Sequence, residues 1–93
     1  MRRAARIDDN HAGIVSALRQ AGCMVLSLAA VGNGCPDLLV SRNGVNTLLE
    51  VKDGGKSPSK RKLTDDQVIF FDTWKGPAFV VVDVAQAFEA CGI

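Results

Sequence analysis

Residues 34–52 read Gly34-Cys35-Pro36-Asp37-Leu38-Leu39-Val40-Ser41-Arg42-Asn43-Gly44-Val45-Asn46-Thr47-Leu48-Leu49-Glu50-Val51-Lys52. Two apolar runs, Leu38-Leu39-Val40 and Leu48-Leu49, flank an Asn-Gly pair. This is a strong hairpin signal, because both central residues of a type I′ turn need positive φ. With Asn43-Gly44 as a two-residue loop, pairing starts at Arg42–Val45, and every cross-strand pair has numbers summing to 87. Asp37 and Glu50 satisfy that sum and are predicted to face one another. Facing side chains share one side of a sheet, with Cβ atoms about 4.5–5.5 Å apart. Lys52, two residues beyond Glu50, projects from the same side.

Two close carboxylates repel unless one holds its proton or a cation arrives. A divalent metal answers that need, since Mg²⁺ is bound through one or two carboxylates and keeps several waters. The plainer alternative is a surface hairpin with an ordinary Lys–Glu pair.

Ninety-three residues form one domain, and a 47% apolar content supplies a core. The formal net charge is +1, so a nucleic-acid surface must come from local clustering. No apolar run approaches the roughly 20 residues that span a bilayer. The basic start, with Arg2, Arg3 and Arg6, lacks a following apolar segment of a signal peptide, so a cytoplasmic protein is expected. Cys23, Cys35 and Cys91 show no zinc-ligand spacing and read as small hydrophobes.

Residues 1–7 are expected to be a basic arm, either touching phosphate or solvated. Asp8 or Asp9 offers an N-cap for a helix to about Ala21, with Ile14, Leu18 and Ala21 inward, Val15 and Ala17 flanking, and Gly22 as the stop. Asn10 and His11 lie one turn before Ile14 and Val15; His11 reads either as a packed side chain or as a ligand. Cys23 to Ala30 reads as a strand covered on both faces. Gly32 and Gly34 form a turn or let a phosphate approach the backbone. After the hairpin, residues 54–62 form a mobile loop whose Lys56, Lys60, Arg61 and Lys62 either contact DNA phosphates or are solvated. Thr64 and Gln67 form a capping-box pattern that opens a second helix, with Val68, Phe71 and Trp74 inward. Exposed aromatics there, Phe70 included, would suit a dimer interface or stacking on a base. Gly76-Pro77 ends that helix, residues 78–82 form a buried strand, and Val84 to Cys91 a closing helix with Val84, Ala87 and Phe88 inward and Gly92 as cap. The expected fold is α/β: one central mixed sheet flanked by helices, in the order α-β-β-β-α-β-α.

Pro36-Asp37 followed by Glu50-Val51-Lys52 resembles the signature of the PD-(D/E)XK nuclease superfamily. Over residues 6–90 the chain resembles the small stand-alone VRR-NUC domains of phages and prophages within it. The resemblance is carried by residues 17–23 (Ala-Leu-Arg-Gln-Ala-Gly-Cys), 32–40 (Gly-Asn-Gly-Cys-Pro-Asp-Leu-Leu-Val), 48–54 (Leu-Leu-Glu-Val-Lys-Asp-Gly), 62–67 (Lys-Leu-Thr-Asp-Asp-Gln) and 74–77 (Trp-Lys-Gly-Pro). It implies a restriction-endonuclease-like core and an endonuclease dependent on Mg²⁺, with Mn²⁺ able to substitute. The enzyme would be often dimeric and act on branched DNA such as Holliday junctions or flaps. Asp37, Glu50 and the Val51 carbonyl would hold the metal; Lys52 would orient water or stabilise charge at phosphorus. A glutamine recurs at the start of the second helix in that group, which gives Gln67 a second role beside capping. The family's first-helix acid has no counterpart, since no glutamate precedes Glu50. Asp9, an amide such as Asn10, His11 or a water would take its place, or nothing would. That departure keeps a catalytically inactive DNA-binding or interaction module open as an alternative. A hydrolase of small phosphate esters is a weaker one, because so short a chain offers little material for an enclosed pocket. One active site per chain and two strands to cut imply a two-fold homodimer.

Overall fold

A computed structural model describes residues 9–93; the expected basic arm and the Asp8 cap lie outside the described residues. The elements are α1 (His11–Gln20), β1 (Met24–Ser27), β2 (Leu38–Arg42), β3 (Val45–Val51), a 3-10 turn (Pro58–Lys60), α2 (Asp65–Thr73), β4 (Ala78–Val81) and α3 (Val84–Ala90). Their order is the expected one. The four strands form one mixed sheet in the order β1-β2-β3-β4, antiparallel at the first two junctions and parallel at the third.

Asn43 and Gly44 both have positive φ, 51° and 79°, as a type I′ turn requires. The β2–β3 register is Leu38↔Leu49 through Arg42↔Val45, each pair summing to 87 as the turn dictates. Because side chains alternate along a strand, this register sends Val25, Leu38, Val40, Leu49, Val51 and Val81 to one face. They form the core there with Ile14 and Leu18 of α1 and Ala87 of α3. Glu50 and Lys52 are thereby sent to the other face, beneath α2, the crossover that joins parallel β3 to β4.

Several expectations change at this level. The N-cap of α1 is Asn10 rather than Asp9, and its side chain makes no capping bond. Ala21 is exposed, since it has left the helix; the turn closes by Gly22 N–H to Arg19 O and Cys23 N–H to Leu18 O, each at 3.0 Å. β1 is short and covered on one face only: Val25 is buried, but Met24 and Leu26 are 66% and 53% exposed. β1 is an edge strand, and α2 meets the sheet at Lys52, beyond the end of β3, so among the described residues those two side chains stay exposed. α2 buries no residue completely. Gln67, Phe70 and Phe71 are its half-buried side, whereas Val68 and Trp74 are exposed. Trp74 has turned out of the helix into extended backbone, where its ring stacks on Phe70 at 5.1 Å. Val84, at the first turn of α3, is exposed, while Ala87 and Phe88 pack inward. Among the described residues no helix is long and apolar enough to cross a membrane.

Candidate active site

Pro36 ends the β2 ladder because it has no N–H. The Val51 N–H donates to a side chain there and not to a backbone carbonyl: its acceptor is Asp37 Oδ2 at 2.9 Å. Leu28 N–H donates to the Asp37 carbonyl at 2.7 Å. Asp37 is thus fixed by backbone at both its main chain and its carboxylate, just before β2 and close to Glu50.

Glu50 is 3% exposed. Its Oε2 lies 3.7 Å from Lys52 Nζ, and its Oε1 has no hydrogen-bond partner among the described residues. Burial, and after it the negative charge of Asp37, push the Glu50 carboxyl from 4.5 up to about 8 against the pull of Lys52. The shift favours the protonated form near neutral pH, and a cation entering beside the pair would favour the ionised one. Cys35 stands close enough that burial, then Glu50 and Asp37, raise its thiol and keep it neutral.

The capping box forms as expected and does more than start a helix. Gln67 N–H donates to Thr64 Oγ1 at 3.2 Å, and Gln67 Oε1 accepts Thr64 N–H at 2.9 Å. The same Oε1 accepts a hydrogen bond from Lys52 Nζ at 3.0 Å. Two donors on one oxygen fix the amide orientation and turn Nε2 away from the lysine. Gln67 therefore belongs to the constellation with Asp37, Glu50 and Lys52.

The N-terminal turn of α2 is seated by Gly34, whose φ is +78°. A Cβ at this position would overlap the Asp66 carbonyl and stand 2.8 Å from Gln67 N. The close approach that this glycine permits is to helix backbone. The sequence offered a simple turn or a bound phosphate; a second element of the fold fills that role.

None of the first-helix candidates completes a ligand set. Asp9 is exposed. His11 is 8% exposed and lines a groove with Val15, Val25 and Leu38 on the core face. Asn10 donates to two backbone carbonyls, Lys52 O at 3.1 Å and Val82 O at 2.8 Å. Among the described residues no group of three or more His, Cys, Asp or Glu side chains is placed to hold a metal. The donors at hand are two carboxylates, one of which carries an unpartnered buried oxygen. That fits a hard, well-hydrated cation such as Mg²⁺ and does not fit a fully protein-ligated one. In the basic loop Lys60 and Lys62 are exposed, while Lys56 and Arg61 are half-buried; the Arg61 Nε is buried without a partner among the described residues.

The clamp made by Asn10 was missed in the sequence. Its signal was weak: an amide one turn before Ile14, at the position where a helix would ordinarily use it as its own cap. Compared with known proteins, the chain matches no family model and no curated protein.

Proposed function

We propose that the chain is a metal-dependent DNA endonuclease of the PD-(D/E)XK type, similar to the VRR-NUC domains, hydrolysing phosphodiester bonds. The observation that carries the reading is the buried Glu50, facing Asp37 with one oxygen unpartnered and Lys52 Nζ 3.7 Å from the other. A carboxylate pair of this kind is costly in a protein that only has to fold, and it is what a divalent cation needs.

Asp37, Glu50 and the Val51 carbonyl would hold Mg²⁺, or Mn²⁺ in its place. When bound, the metal supplies charge neutralisation at the phosphate and a lowered pKa for water. To hold the cation, Glu50 would have to give up the proton that burial favours. Lys52, kept in place by Gln67 Oε1, orients the attacking water and stabilises the negative charge that grows on the phosphate oxygens. The water oxygen bonds to phosphorus and gives up a proton to solvent, the bond to the leaving sugar oxygen breaks with its electron pair going to that oxygen, and the oxygen takes up a proton from solvent water. Lys56, Lys60, Arg61 and Lys62 follow the site in sequence and would contact backbone phosphates without reading bases.

Cleavage of a four-way junction and of linear duplex, with Mg²⁺ or Mn²⁺, tests this reading. Asp37→Ala is expected to lose at least about 10³-fold in cleavage rate while still binding DNA, because the lost carboxylate acts on the metal and not on the duplex. Absence of metal-dependent cutting of any DNA by the wild-type chain, where it does bind, would defeat the proposal. The absent first-helix acid supports a second reading, an inactive DNA-binding or interaction module. Calorimetric titration with Mg²⁺ separates the two, since an inactive scaffold has no binding isotherm that depends on Asp37.

Branched DNA as substrate, a phage or prophage source and a cytoplasmic setting belong to the same proposal through the resemblance. So does a two-fold homodimer, for which exposed Met24 and Leu26 on β1 and Val68, Ile69 and Trp74 around α2 offer apolar surface. Sedimentation at micromolar concentration should give the dimer mass; monomer alone would count against it.

A further inference from the structure

We propose that Asn10 is a positioning residue: its side-chain amide clasps the ends of β3 and β4 and so fixes the Lys52 peptide, instead of supplying a metal ligand. The catalytic part of this inference rests on the nuclease reading; the clasp itself does not.

The last paired residues of the two parallel strands are Val51 and Val81. Lys52 and Val82 lie one step beyond, where strand ends fray. Asn10 Nδ2 spans both, donating to the Lys52 and Val82 carbonyls at 3.1 and 2.8 Å. Lys52 N–H donates to Val81 O at 2.9 Å, so the residue is held through both its N–H and its carbonyl. Its side chain starts from that fixed point and reaches Gln67 Oε1. Both acceptors of Asn10 are carbonyl oxygens, so the donor end of the amide must face them. In return, the Asn10 side chain leaves its own helix uncapped, and its Oδ1 stays buried without a partner among the described residues. A carboxylate here would set negative oxygens against two carbonyls. That gives a physical reason for an amide, and not an acid, at the head of this helix. α1 can bear the load because Ile14 and Leu18 anchor it in the core.

The test is Asn10→Ala, followed by amide hydrogen exchange without metal and by cleavage with it. Lys52 N–H should lose about tenfold or more of its protection, while Leu48 N–H, bonded to Pro77 O farther down β3, changes less than about threefold. A general loss of stability would move both amides together and would overturn the clasp. In cleavage, kcat should fall about 10- to 100-fold, with KM for DNA and Mg²⁺ affinity within about threefold. A fall in Mg²⁺ affinity beyond tenfold would make Asn10 a ligand, and an unchanged kcat would remove its positioning role. If wild type cuts no DNA, the nuclease reading fails while the exchange result still decides the clasp. Should the alanine variant not fold, the wild-type chain answers by NMR. The two Asn10 side-chain amide protons are expected to be distinct and slow to exchange; rapid exchange would overturn the clasp.

Discussion

At pH 8, without metal, Glu50→Gln is expected to be more stable than the wild-type chain, and at any pH it should cut DNA at least about 10³-fold more slowly. The two effects share one cause. In the folded chain the Glu50 carboxyl is raised from 4.5 to about 8, first by burial and then by Asp37. An acid whose folded pKa is raised contributes its stability below the unfolded value, and that stability drains away as pH rises through the folded one. The metal-free wild type should therefore weaken from about pH 5 to pH 8 and level off above that, where Glu50 is ionised in both states. At about 1.4 kcal/mol per pKa unit, this interval sets a ceiling of about 5 kcal/mol for the loss. Glutamine has the same shape and no charge, so the variant should show none of that slope. Denaturant melts at several pH values measure the difference directly. A variant less stable than wild type at pH 8 would mean that folding does not raise the Glu50 carboxyl. Mg²⁺ should reverse the slope in wild type, raising the melting temperature more at pH 8 than at pH 5 and expelling a proton on binding near neutrality. Calorimetry in buffers of different ionisation enthalpy counts that proton; the glutamine variant should release none.

Gly34→Ala is expected to cut DNA about 100-fold more slowly although it removes no functional group. The backbone at Gly34 has φ +78°, and a Cβ there overlaps the Asp66 carbonyl. Left-handed backbone costs a non-glycine residue about 1–2 kcal/mol, and the overlap adds to this by pushing away the first turn of α2. That turn carries Gln67, whose Oε1 holds Lys52 Nζ at 3.0 Å. With the turn displaced, Lys52 keeps its charge and loses its aim. Few contacts resist the displacement, because α2 buries no residue completely, so the core beneath should survive. The melting temperature should fall by roughly 5–15 °C, the scale for 1–2 kcal/mol in a chain of this size. Mg²⁺ affinity should stay within about threefold, since Glu50 lies in β3 and Asp37 is held by the N–H groups of Val51 and Leu28. A variant that cuts normally would show that Gln67 has no part in the reaction; one that loses metal binding would show that α2 shapes the carboxylate pair as well.

The hairpin with its register and the element order were legible in the sequence, and so was the approach of Asp37 to Glu50, close enough for its charge to raise the Glu50 carboxyl. So was the capping box at Thr64 and Gln67. Each follows from short-range rules: a two-residue turn fixes register, alternation fixes the face, and a cap reaches three residues along the chain. The reading of β1 failed for the opposite reason. Its residues are apolar on both faces, but whether Met24 and Leu26 are covered depends on where α2 comes to rest. The inward side of α2 was misjudged at Val68 and Trp74 because the helix ends before Trp74 and its stripe runs through Gln67 and Phe70.

By itself, then, the sequence determined which residues could converge: one turn type and the pleat bring two acids and an amine to one end of one hairpin. Only the tertiary structure decided what state they are in. The proton on Glu50 depends on burial by the whole fold, and the seat of Lys52 depends on Gln67 and Gly34. The clasp by Asn10 joins residues 42 and 72 positions apart. No local pattern encodes separations of that length, because they arise when packing of the core brings the head of α1 to the ends of two strands.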